Sequence, residues 1–206
     1  MSIPKVHVKI ADQTHEFEQI HRLNYRTFVE EIPQHAVNAE HLLVDKFHDE
    51  NTYFIALSGE TVIGMLTLRS VRPFSLDSKV ENLDQYLPIA AANTLQKIAE
   101  IRLLAIVPAY RHTSVFAQLF YFALTTCLQQ KFSLALVSAT VLQAKLYANM
   151  GFIAFANLVG KPGAMYQPMY LELASALRMQ QRLQNSRVAK NSRTNDDAPM
   201  QNEGQQ

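Results

Sequence analysis

Two charged residues interrupt an apolar run, Ile98–Val107 (IAEIRLLAIV): Glu100 and Arg102. A charge inside a buried strand is costly unless it is paired or put to use. Either Glu100 forms an ion pair with Arg102 or another residue at the strand end, or its carboxylate works as a proton acceptor or an amine binder. After a turn at Pro108–Ala109–Tyr110, the basic pair Arg111–His112 stands before an apolar helix from about Thr113. A strand that feeds a helix N-terminus through a basic turn is suited to hold an anion. Two other groupings invite chemistry. His35, His41 and His48 lie among Glu40, Asp45, Asp49 and Glu50. Such side chains suit zinc or iron, but the spacing matches no compact ligand motif, so the segment reads as an exposed loop or short helix and no metal is expected. Arg22, Arg26 and Glu30 recur at helical spacing; they form a solvated stripe with Arg–Glu pairing, or Arg26 binds a substrate.

The elements that must position these residues fit a chain of 206 residues, 48% hydrophobic and 18% charged. Residues 1–175 are expected to form one domain, and 176–206, polar and free of aromatics, a largely disordered tail. A formal net charge of +1 gives no field that would attract nucleic acid. The N-terminus lacks an apolar signal region and no stretch reaches the roughly 18 apolar residues of a membrane span, so a cytoplasmic protein is expected. The single cysteine, Cys127, sits in an apolar run and reads as core.

Val6, Val8 and Ile10 alternate as a strand. A helix with Thr14 as N-cap follows and stops at Pro33. Thr52–Leu57 and Thr61–Leu68, joined through Gly59, read as a hairpin, with Gly64 marking a bulge or a close backbone approach. A long connection, Ser70 to Thr94, carries a short helix around Val80–Tyr86; connections of this length are uncommon without functional use. Phe132–Val137 is a buried strand, and VLQAKLYANM a helix ended by Gly151. Tyr166–Leu173 is a last strand, which Pro168 assigns to an edge or a bulge. A central strand–helix–strand unit implies a mixed α/β sheet covered by helices.

Three segments then carry a resemblance: EIRLLAIVPAYR (Glu100–Arg111) with its helix, SATVLQAKLYANMGF (Ser138–Phe152), and the hairpin YFIALSGETVIGMLTLR. In order and spacing they resemble the GNAT superfamily of N-acyltransferases. That likeness implies a splayed mixed central sheet flanked by helices, with an acyl thioester held in the splay. HRLNYRTFVEEI (His21–Ile32) and VDKFHDENTYFIAL (Val44–Leu57) are similar to segments of the acyl-homoserine-lactone synthases and long-chain N-acyl amino acid synthases. Arg26, Asp45 and Phe47 match there. His48 stands where a second acid is usual, Arg69 is displaced from the strand arginine, and Arg102 falls one place before the arginine of a Glu-x-x-Arg strand begun by Glu100. These departures separate the chain from the lactone synthases proper and leave a more general N-acyltransferase using a carrier protein or CoA.

The resemblance implies a role for each residue. Glu100 would be the base and Tyr147 the acid that protonates the leaving thiolate. Backbone N–H groups of Leu104, Ala105 and Ile106 would polarise the thioester carbonyl. Arg111, Thr113, Ser114, Val115 and Phe116 would form the phosphate loop, in which Ser114 and Phe116 replace the usual glycines. Those replacements imply either a carrier-protein donor, whose phosphopantetheine presents one phosphate, or a donor site that has decayed. Arg26, Asp45, Phe47, Arg69 and Arg102 would bind the acceptor, with Lys161 and Tyr166 bounding its pocket. Phe47, Phe54, Met65, Leu66, Phe116 and Phe120 would line an acyl tunnel or simply be core. No tightly bound cofactor is expected; acyl-CoA or acyl-phosphopantetheine is the co-substrate, and a small-molecule amine and an acyl carrier protein are the expected partners. A CoA-dependent acetyltransferase and a catalytically silent binding module of the same fold are the rival readings.

Overall fold

The computed structural model describes residues 6–88 and 97–175; the expected tail, 176–206, and the end of the long connection lie outside them. The described elements are β1 (Val6–Ile10), α1 (Thr14–Tyr25), which runs into a π-helical turn (Arg26–Glu31), β2 (Asn51–Ser58), β3 (Thr61–Arg69), β4 (Ile98–Ile106), α2 (Val115–Gln129), β5 (Leu134–Thr140), α3 (Val141–Asn149), β6 (Ile153–Ala154), β7 (Val159–Lys161) and β8 (Ala164–Glu172). Their sheet has the order β1-β2-β3-β4-β5-β8-β6, with β7 also pairing β8. Every pairing is antiparallel except β4 with β5.

Strand alternation sends neighbouring residues to opposite faces, and each face has its own cover. Phe54, Leu66 and Val137 pack with Val115, Leu119, Phe120, Cys127 and Tyr147 of α2 and α3. Ile55 and Met65 pack on the other face with Ile20 and Leu23 of α1. Further along that second face, Leu134 and Leu136 lie under Phe74, Leu76, Val80, Leu83 and Leu87 of the long connection. Each fully buried Leu or Phe contributes about 1.5–3 kcal/mol, so the connection is held by its own core. Burial pushes the Cys127 thiol up to about 12. Gly64 is explained by α2: a Cβ there would stand 3.1 Å from both Leu119 Cδ1 and Val115 Cγ1. The β2–β3 register also slips beside it.

Several details differ from the sequence expectation. Gln13, not Thr14, is the N-cap of α1. The buried Glu16 carboxylate accepts the N–H groups of Asp12 (3.0 Å) and Gln13 (3.2 Å) and pairs with Lys9 at 2.9 Å. The helix around Val80–Tyr86 is a 3₁₀ turn at Leu83–Tyr86, and α2 begins at Val115 rather than Thr113. Pro168 lies inside the sheet, since β8 is paired on both flanks. It falls between the partners of β6 and those of β7, where the outer ladder is broken, so its missing N–H costs no ladder bond on that flank. Within the charged stripe, Arg22 pairs with Glu18 at 2.8 Å. Among the described residues no helix is long and apolar enough to cross a membrane.

Candidate active site

β4 and β5 pair only from Ile98↔Leu134 to Ile101↔Val137. Beyond Ile101 the strands part, and β5 continues with β8 as far as Thr140↔Tyr166. The cause is visible in β4. Met65 opposes Ala105 but Thr67 opposes Arg102, so one residue of β3 faces two of β4. Leu103, inside this bulge, has a φ of 52°, a left-handed conformation that is uncommon for a non-glycine residue. A bulge bends its strand and ends pairing. Among the described residues the fork leaves the β5 side of residues 102–106 without a strand partner, which includes Leu104, Ala105 and Ile106, the backbone expected to meet a thioester.

A cavity of about 560 Å³ opens at the fork, on the face covered by α1 and the long connection. Its wall includes Asn24, Asp45, Ser75, Lys79, Arg102 and Tyr166. Asp45 and Arg102 form the rigid part of this wall. The carboxylate accepts both Arg102 Nη1 and Nη2, at 2.9 and 3.0 Å, the Phe47 N–H at 3.0 Å and Asn51 Nδ2 at 2.9 Å. Burial would raise the Asp45 carboxyl, but the Arg102 fork and the other donors outweigh it and hold it below its ordinary value. The Phe47 ring lies under the guanidiniums of Arg69 (3.7 Å) and Arg102 (4.9 Å), a cation–π arrangement that fixes both. Arg69 is itself buried, pairs with Glu50 and donates to the Pro73 carbonyl at 2.8 Å. Four of the five expected acceptor residues therefore come together. Arg26 does not join them: it is exposed and does not line the cavity.

Glu100 is 0% exposed and faces Ser75. Its Oε1 accepts the Ser75 hydroxyl at 2.6 Å and the Leu76 N–H at 3.1 Å; its Oε2 accepts the Ser75 N–H at 2.7 Å and lies 3.5 Å from Arg102 Nε. Glu100 is thus paired with Arg102, and the Ser75 hydroxyl links it to the wall of the cavity. Sequence reasoning missed Ser75 and Lys79, because nothing in the spacing of the long connection assigns its residues to the strand they cover.

On the α2–α3 face, Tyr147 packs among Phe116, Phe120 and Phe152, with ring centroids 6.4, 6.2 and 5.3 Å away. Burial raises its phenol well above the ordinary value. Arg111 differs from its expected role in this structure. It donates to the Ile106 carbonyl at 2.9 Å and pairs with Glu31 at 2.5 Å, tying the start of α2 to the π-helical turn. Thr113 and Ser114 are exposed beside it, Val115 is buried, and Phe116 stacks on Phe120 at 5.6 Å. Of the residues read as tunnel lining or core, Phe54, Met65, Leu66 and Phe120 are buried core residues and do not line this cavity. Tyr166 does line it, whereas Lys161 is exposed in the β7–β8 hairpin.

Comparisons with known proteins bear on what this site does. A family model described as N-acyl amino acid synthase FeeM matches residues 19–175. No curated protein sequence matches. The fold is similar to the structure of FeeM, an N-acyl amino acid synthase from uncultured soil microbes (TM-score 0.66, 19% identity, 84% of this chain and 94% of that one). It is also similar to the acyl-homoserine-lactone synthase LasI (0.66, 16%, 82% and 91%). A third is BjaI, a CoA-dependent acyl-homoserine lactone synthase determined with SAM and isopentyl-CoA (0.65, 21%, 84% and 86%). At these identities the structures establish the fold, the GNAT-like splayed sheet, and the family match covers most of the chain.

Proposed function

The chain belongs to the FeeM family of N-acyl amino acid synthases, and from that premise we propose that it moves an acyl group from a thioester to the amine of an amino acid. N-acyl transfer follows from the family; the amino acid acceptor is our reading, with CoA or the phosphopantetheine of an acyl carrier protein as donor. The observation that carries it is the Glu100–Ser75 hydrogen bond at the edge of the fork cavity. It joins a buried carboxylate to a hydroxyl within reach of a bound amine.

The chemistry needs a neutral amine, a proton acceptor, a polarised carbonyl and a proton for the leaving sulfur. The amine nitrogen attacks the thioester carbon. As the C–N bond forms, the amine proton passes to Ser75 Oγ while the Ser75 proton passes to Glu100 Oε1. The carbonyl oxygen takes up negative charge and is met by N–H groups of Leu104–Ile106 on the β5 side of β4. The C–S bond then breaks, and the thiolate takes the phenol proton of Tyr147, which burial keeps protonated; once the products leave, Glu100 returns its proton through the Ser75 hydroxyl to water in the emptied cavity, and Tyr147 regains one from the donor side. On the donor side, Arg111 exchanges Glu31 for a phosphate beside Thr113, Ser114 and Val115. Phe116, at a position where the family resemblance expects glycine, leaves the backbone there less free to wrap a diphosphate, which favours the single phosphate of a carrier protein. A cytoplasmic location fits such donors.

Two measurements test this reading. Thiol release from acyl-carrier-protein and acyl-CoA donors should depend on added amino acid; release that ignores the amino acid, or none from either donor, rejects it. Tyr147→Phe removes a phenol oxygen with no hydrogen-bond partner among the described residues, so it should leave stability unchanged. It should lower kcat by about 10²-fold, the low end of general acid–base effects. Full activity in this variant would assign Tyr147 to packing alone.

A further inference from the structure

The cavity holds more positive charge than its own carboxylates neutralise. Asp45, Lys46, Lys79 and Arg102 line it. Asp45 is taken by both nitrogens of Arg102, and Glu100, behind the wall, by Ser75, Leu76 and Arg102. Among the described residues neither Lys46 nor Lys79 has a carboxylate partner. Lys46 lies 4.6 Å from the Phe47 ring centre, and Lys79 lies 5.2 Å from that of Tyr166. The two ammoniums come from different covers of the sheet and repel across the cavity. Burial lowers the Lys79 ammonium, Lys46 and Arg102 lower it further, and Glu100 opposes them.

Two hydroxyls complete the arrangement. The Tyr166 hydroxyl is buried, on a residue 9% exposed, and the Ser138 hydroxyl is likewise buried; neither has a hydrogen-bond partner among the described residues. Both residues line the same cavity. Ser138 is the first residue of β5 beyond the fork, on the face of Leu134 and Leu136. Buried donors left without partners are uncommon, and two beside an unneutralised ammonium fit a missing anion.

We propose that Lys79, with the Tyr166 and Ser138 hydroxyls, binds the carboxylate of an α-amino acid acceptor. Ser75 and Lys79 both line the cavity, from a turn of the long connection in which the N–H groups of Lys79 and Val80 donate to the Leu76 carbonyl at 2.9 Å each. An α-amino acid whose amine meets Ser75 then has its carboxylate on the same wall as Lys79. This inference rests on the proposed function, since it takes Ser75 as the amine's neighbour.

The test compares three acceptors with one donor: an amino acid, its carboxamide, and the corresponding amine without a carboxyl group. In Lys79→Met, kcat/KM for the amino acid should fall about 10- to 100-fold, the worth of a charged hydrogen bond. For the plain amine it should fall much less, so discrimination between the two collapses. Lys79→Arg should retain most of it. Wild-type discrimination in Lys79→Met would overturn the inference while leaving the acyltransfer reading intact. If the wild-type protein acylates none of the three, the acyltransfer reading fails instead. Calorimetry of the amino acid with wild type and Lys79→Met then decides the site by itself: weaker binding in the variant supports it, and equal binding overturns it.

Discussion

Replacing Glu100 by glutamine is expected to lower kcat for acyl transfer by about 10²- to 10⁴-fold, the range for loss of a positioned proton acceptor. The carboxylate is the terminus of the relay and sits fully out of water, so solvent does not reach it to substitute. The variant also sets an amide against the Ser75 and Leu76 donors, which disturbs the connection that Glu100 anchors. Ser75→Ala separates the two effects. It cuts the relay while the backbone N–H groups of Ser75 and Leu76 still reach Glu100. It should cost at least about tenfold in kcat with a loss of stability limited to about 1.5–3 kcal/mol, the worth of one hydrogen bond to a charged group. Wild-type turnover in Ser75→Ala would show that the amine proton leaves by another route.

Asp45→Asn should produce the largest loss of stability. Arg102 and Asp45 have side chains only 11% and 9% exposed, and breaking a buried pair by removing one partner costs about 3–5 kcal/mol. Glu100 remains 3.5 Å from Arg102 and sets the expectation at the low end, about 3 kcal/mol, read by urea denaturation near pH 7. The sign with pH follows from the direction of the shift. The Asp45 carboxyl is held below its ordinary value in the folded protein. Its contribution is therefore fully present above the unfolded value of about 3.9 and is lost as pH falls through the lower folded value. The gap between wild type and Asp45→Asn should thus be constant at neutral pH and close in acid. A gap that stays open below that folded value would mean the pair is not what Asp45 contributes.

Much of the frame was legible because it is written in local pattern. Alternation and the Gly59 turn marked the β2–β3 hairpin, and Gly64 marked the place where α2 crosses the sheet closely. Glu100 and Arg102 stood out because a charge within an apolar strand demands an explanation. What stayed hidden depends on contacts across long stretches of chain. Ser75 and Lys79 are ordinary loop residues until the hydrophobic side chains from Phe74 to Leu87 press that loop onto β5. Arg111 read as a free cation because its partner, Glu31, lies 80 residues earlier. Pro168 reads from the sequence as an edge or a bulge because the break between β6 and β7 that accommodates it cannot be seen in β8 alone.

The central claim is that acyl transfer takes place at the fork between β4 and β5, against Ser75 and Glu100. A crystal structure with a bound N-acyl amino acid tests it most directly. The product's amide nitrogen should lie within hydrogen-bond distance of Ser75 Oγ, with its carboxylate on Lys79 and its carbonyl oxygen facing the backbone of Leu104–Ile106 on the β5 side of β4. A product bound away from the fork, or seated there with its amide turned from Ser75, would contradict the account.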